Sequence, residues 1–300
     1  MIGSKMLSRS KAGEPETNLE RSQVGSREES AKVGKMLFLI LRPPLRVYRS
    51  FRSHPMELGS IGIGLVLWYV VGEYFSAGLI PTPIVVAETL WHLYQTGVLM
   101  SDVGYSVMRV VIGFLVGYTL ALPVGFITGW FRLANKAAEP YLQFLRTIPA
   151  LALIPLLIVY LGIGEIAKIA LITYGVFLTV AIIVHQGVMS VDENLVRAAR
   201  VLGAAKNSQI FRYIVVPSSL PYLVVSARLG LAGGWTLVIA AELIAANHGL
   251  GHLIEDASTF FILPEIYGGI FAIGVLGLAM DRLVLLLSRR LGRWQDVRMR

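Results

Sequence analysis

The chain has 300 residues, 55% of them hydrophobic and 15% charged, with a mean hydropathy of +0.66, a formal net charge of +8 and no cysteine. Those values exclude a soluble domain with a polar surface, and the missing cysteines exclude disulfides, thiolate metal centres and cysteine nucleophiles. The positive charge would serve nucleic-acid binding only if it shared one folded face, and here it is divided among loops, so nucleic acid is not an expected partner.

Residues 1–35 are rich in Ser, Glu, Lys, Arg and Gly and nearly devoid of aromatic and β-branched residues, so they are predicted to form a disordered tail without a signal-peptide core. Residues 36–57 form a basic juxtamembrane segment with Arg42, Arg46, Arg49 and Arg52, suited to an anionic membrane surface or to a plain solvated linker. From residue 58 to 300 the chain reads as an all-α, polytopic membrane domain of about six spans. They are placed near Leu58–Ile80, Val107–Phe131, Tyr141–Ile163, Ile166–His185, Leu220–Ala246 and Ile266–Leu287. Between the first two, Ile84–Tyr94 is predicted to be an amphipathic helix on the outer surface. Pro149 and Pro155 make the third span the one most prone to break, and the pairs Gly113/Gly117 and Gly125/Gly129 mark the second for close helix contact. Lys and Arg number 11 before Leu58, two between Phe131 and Tyr141, four between His185 and Leu220, and five after Leu287. The segments joining the spans on the other side have none. The positive-inside rule then places both termini and the loop 192–221 in the cytoplasm.

That loop, DENLVRAARVLGAAKNSQIFRYIVVPSSLP, is polar between apolar runs. A helix over Asn194–Leu202 is predicted to stop or bend at Gly203, with a second amphipathic piece over Ser208–Val216 before Pro217 opens the next span. Such a helix–turn–helix suits a groove on a soluble partner, and a solvated connection is the plain alternative. Ser218 and Ser219 read as a helix N-cap. The loop resembles the EAA loop of binding-protein-dependent ABC transporter permeases: EAA, three residues, Gly, nine residues, Ile, any, Leu, Pro. Ala198, Ala199, Gly203 and Pro217 fall on that pattern, with Ile214 and Val216 at its apolar positions. Arg197 stands where the pattern has its acid, Glu193 lies one turn earlier, and ten residues separate Gly203 from Ile214. The runs LRTIPALALIPLLIVYLGIGEIAKIALI, AAELIAANHGLGHLI and GVLGLAMDRLVLLLSRRLGRW extend the resemblance to the nitrate, sulfonate, taurine and bicarbonate branch of those permeases.

The resemblance implies the permease subunit of a bacterial ABC importer in the cytoplasmic (inner) membrane, a path for a small, anionic solute. It also implies a homodimer of this chain, two cytoplasmic ATPase subunits that bind the ATP, and an external substrate-binding protein. In itself the chain has no GxxxxGK[ST] phosphate loop, so no ATP site, no cofactor and no enzymatic activity of its own are expected. Charged residues within spans are candidates for the path, chiefly Arg109, Arg146, Arg228 and Glu242, and structural pairing is the competing reading for each. His248 and His252 imitate a metal pair, but Gly249 and Gly251 interrupt the helix that would align them, so no metal is expected. The rival classes are an ion-coupled secondary transporter, which should carry inverted repeats and midplane carboxylates, and a membrane-embedded enzyme, which should pair a nucleophile with a base.

Overall fold

A computed structural model describes residues 54–74, 78–204 and 206–291, all helical or irregular. The predicted tail, and the basic segment as far as residue 53, lie outside the described residues. The chain divides into two compact units, residues 1–65 and 66–300. In the first, the described residues are the opening turns of α1, His54–Tyr74.

Helix α1 is described as far as Tyr74, and the apolar part described, Gly59–Tyr74, is about 24 Å long against a hydrocarbon core of about 30 Å. The backbone then turns with Gly78 at φ 87°, and Trp68 Nε1 donates to Pro81 O at 3.0 Å, folding the proline segment back along the helix. Helix α2, Pro83–Gln95, matches the predicted amphipathic element: Pro83 opens it, Val86 and Leu93 are buried, and Ile84, Trp91 and Tyr94 are exposed.

Four helices are long and apolar enough to cross a membrane among the described residues: α3 (Val98–Trp130), α6 (Glu165–Met189), the rod Asn207–Ile244, and α11 (Leu263–Leu291) over Leu263–Ser288. The expected third span is instead two pieces, α4 (Arg132–Thr147) and a 3₁₀ turn at Ala150–Leu153 leading into α5 (Ile154–Leu161), bent by 87°. Pro149 disfavours the α conformation at Ile148, which is extended, so the break falls at Ile148 and Pro149, while Pro155 sits at the opening of α5, where a missing N–H costs little. Counted as one span, the bent pair makes five.

The cytoplasmic-side loop of the prediction holds α7 (Glu193–Val201) and α8 (Asn207–Ile210). The second amphipathic piece is not separate. It continues through a π turn at Phe211–Val215 into α9, Val216–Ala245, where Val216 N–H reaches Phe211 O. Pro217 supplies no N–H at the start of α9, and widening the preceding turn lets the helix continue past it. Ser219 therefore caps nothing: its hydroxyl donates to Val215 O at 2.8 Å inside the rod. Helix α10, Leu250–Thr259, precedes α11.

Helix α6 is the centre of the bundle, packed along its length on α3 and on α9. The α3 contact is a ladder: Gly113, Gly117, Gly125 and Gly129 face Ile172, Val176, Val184 and Val188, and Ala121 and Val180, which continue the two four-residue spacings, are fully buried. A Cβ on Gly113 would lie 2.7 Å from Ile172, on Gly125 2.7 Å from Val184, and on Gly129 2.6 Å from Val188. The two predicted glycine pairs are thus one continuous surface, and β-branched residues fill the space the glycines leave. By contrast, α11 lays one face, with Ala272, Ile273, Leu276, Met280 and Val284, against the core and presents Ile270, Phe271, Val275 and Leu278 outward.

Candidate functional site

The two ends of the bundle are chemically different. At the end where α3 and α6 begin and α9 finishes, charged side chains are buried together. Asp102, Ser106 and Arg109 lie on one face of α3 at helical spacing, and Glu242 is fully buried on α9. Arg109 makes a bidentate pair with Glu165 and a 2.6 Å pair with Glu242, while Lys168 reaches Glu165 at 3.1 Å. Ser106 Oγ lies 2.8 and 2.9 Å from the two oxygens of Glu242. The loop between α9 and α10 completes the cluster. Arg109 donates to His248 O at 2.6 Å, Gly249 N–H to Asp102 at 2.9 Å, Leu250 N–H to Ser106 Oγ at 2.9 Å, and Gly251 N–H to Glu242 at 2.9 Å. Gly249 has φ 129°, and a side chain there would overlap the Glu242 carboxylate. The glycines beside the two histidines therefore bring one backbone N–H onto Asp102 and one onto Glu242, and the His248 ring stacks on Tyr105 at 5.0 Å.

Two of the four path candidates, Arg109 and Glu242, thus meet in one buried cluster. Arg228 pairs with Asp281 through 2.6 and 3.0 Å bonds, joining α9 to α11. Arg146, at the last turn of α4, lines a separate cleft. Asp102, Ser106 and Glu165 were not singled out from sequence because hydropathy reads them as span ends. Their signal is the i, i+4, i+7 polar stripe of Asp102, Ser106 and Arg109.

At the opposite end, α7 stands between α6 and the rod. Asp192 caps it, accepting Asn194 N–H at 2.8 Å, and Glu193 pairs with Arg197 at 3.0 Å along an exposed face. Gly203 has φ 97°, with Gly203 N–H on Arg200 O and Ala204 N–H on Ala199 O closing the helix. Ala198 receives Leu202 N–H in the same turn. Val201 and Leu202 are 87% and 88% exposed, an unusual price for apolar residues in a polar loop. Ile214 sits half-buried in the π turn beside fully buried Val215, and Val216 and Pro217 open α9. A cleft of ≈530 Å³ between α7 and the start of α4 is lined by Arg132, Glu193, Arg197 and Arg200.

Residues 121–294 match the family described as binding-protein-dependent transport system inner membrane component. The chain belongs to that family. This permease is 45% identical over 241 residues to a probable ABC transporter permease protein of Brucella abortus (strain 2308), covering 80% of this chain and 96% of the relative. It is 30% identical to the taurine transport system permease protein TauC of Escherichia coli (strain K12), over 81% and 90% of the two chains. Against the nitrate import permease protein NrtB of Synechococcus elongatus the identity is 28%, over 83% and 96%. Among solved structures, the inward-facing MetNI methionine ABC transporter shares its fold at TM-score 0.52 and 23% identity, covering 65% of the permease and 95% of that chain. A bacterial alginate ABC transporter, solved with its alginate-bound periplasmic protein, does so at TM-score 0.54 and 14% identity, covering 88% and 96%. The chain is a transport subunit of an ABC importer, an inner-membrane protein whose work is passage and not catalysis.

Proposed function

We propose that this permease, as a homodimer, forms the path for a small, anionic solute, receives it from an external binding protein, and is driven by cytoplasmic ATPase subunits that dock on α7. The observation that carries the coupling part is α7 itself: a capped helix with a left-handed glycine stop, exposed Val201 and Leu202, and the loop's cations beside it. Exposed apolar residues rimmed by charge are the surface of a helix that lies in a partner's groove. Glu193, Arg197, Ala198, Ala199, Gly203, Ile214, Val216 and Pro217 make up this docking element and its junction with the rod. Both termini and α7 lie in the cytoplasm in this reading, as the distribution of Lys and Arg supports. The anionic class is supported by the taurine and nitrate permeases among the relatives.

The test is copurification. The ATPase should come down with the full permease and be lost from Leu202→Asp, which places a charge in the proposed groove while leaving every span intact. Equal recovery of ATPase with both proteins would remove α7 from the interface.

A further inference from the structure

The cluster that joins Arg109, Lys168, Glu165 and Glu242, and the pair of Arg228 with Asp281, neutralise three of the cations carried by the spans. Arg146 is different: it has no acidic partner among the described residues. Its depth is fixed by Tyr174, whose hydroxyl donates to Leu145 O at 3.0 Å, and Tyr174 lies near the middle of α6. The end of α4, and Arg146 with it, therefore lies alongside the middle of α6, on an exposed face of the chain and immediately before the 87° bend. A guanidinium at that depth cannot face hydrocarbon, and the interrupted backbone after it needs water or protein to serve its free polar groups. Both conditions are met by the cleft of ≈550 Å³ that Arg146 lines with Pro149, Ala150, Thr179, Gly233 and Thr236. The hydroxyls of Thr179 and Thr236 donate to their own helix carbonyls, Gly175 O at 2.9 Å and Ala232 O at 3.3 Å. They can accept hydrogen bonds from a guest but have no proton left to give it. Among the side chains lining the cleft, positive charge comes from Arg146 alone.

We propose that this cleft is a water-filled section of the path and that Arg146 is the residue in it that holds the anion. This rests on the permease reading above, and it names the chemistry of the site: a single guanidinium that offers two N–H groups to a sulfonate, nitrate or carboxylate.

Because the chain has no cysteine, a single cysteine at Ala150→Cys reports on the cleft without background. The experiment compares its rates of modification by sulfonatoethyl and trimethylammonioethyl methanethiosulfonates in membrane vesicles containing the full chain. The anionic reagent should be favoured, the preference should fall roughly tenfold in Arg146→Gln, and Arg146→Lys should keep most of it. An unchanged preference in Arg146→Gln, or no reaction with either reagent, overturns the inference. If Arg146→Gln does not insert, the preference at Ala150→Cys with Arg146 intact must exceed that of a small free thiol by about the same factor. Equality overturns the inference. The measurement needs neither ATPase nor binding protein, so its failure is distinguishable from a failure to copurify.

Discussion

A carboxylate with no solvent exposure must have its oxygens satisfied from within the protein, and Glu242 is served by a hydroxyl, a guanidinium and a backbone N–H. Removing it takes one carboxylate from Arg109, which keeps Glu165 and His248 O, and leaves the Ser106 hydroxyl proton and the Gly251 N–H without an acceptor. Glu242→Ala is expected to destabilise the permease by about 3–5 kcal/mol, read as a fall in thermal unfolding midpoint in detergent. The milder Tyr174→Phe loses one hydrogen bond and about 1 kcal/mol. A midpoint for Glu242→Ala within error of wild type would show that the buried cluster contributes nothing to stability. Sequence exposed part of this picture. Arg109 and Glu242 stood out as charges in apolar runs, but their being partners across 133 positions depends on how α3 and α9 are placed on α6. Hydropathy also left Asp102 and Ser106 outside the second span, although α3 begins at Val98. Their polarity is met by the backbone of a loop some 145 residues away, which no local pattern reports.

At the scale of elements, glycines on one helix differ by what faces them. Gly117 on α3 meets Thr173 O and Val176, whereas Gly104 on the same helix has no neighbouring atom within 4 Å of a new Cβ. Gly117→Ala is therefore expected to cost about 1–3 kcal/mol through overpacking, and Gly104→Ala to be neutral or slightly stabilising. Detergent melting of the two variants side by side tests the contrast, and equal midpoints would refute the ladder. The pair between α9 and α11 permits a second test. Arg228→Asp and Asp281→Arg should each reduce folded yield, and the double exchange should restore it if the bidentate contact is the reason both are present. The glycine spacing was legible in the sequence, because small residues four apart in an apolar run have few other uses. The partner face was not, since Ile172 to Val188 reads simply as a hydrophobic helix. The merger of Ser208–Val216 with the span was likewise hidden, because a π turn before proline leaves the same local pattern as a stop.

For the whole molecule, Gly203 is the joint between α7 and the rod. At φ 97° a β-branched side chain is strained, so Gly203→Val is expected to insert normally, yet to hydrolyse ATP without carrying solute when assembled with its ATPase. Normal uptake in reconstituted vesicles would count against α7 as the coupling element.

The ladder has a mechanical consequence. Helices that approach closely at four glycine rungs, with Gly187 of α6 closed against Tyr222 of α9 and the charged cluster tying the three helices at the far end, leave no soft section between α3, α6 and α9. These three form a stiff board, and a push on the short helix at one edge tips the board without flexing it. If α7 docks the ATPase as proposed, displacement at its end of the bundle then arrives undiminished at the other end. In the proposed homodimer with its ATPase, spin labels at Ile112 and Leu229, exposed on α3 and α9, should hold one distance within a copy with and without ATP, while the distance between the Leu229 labels of the two copies changes.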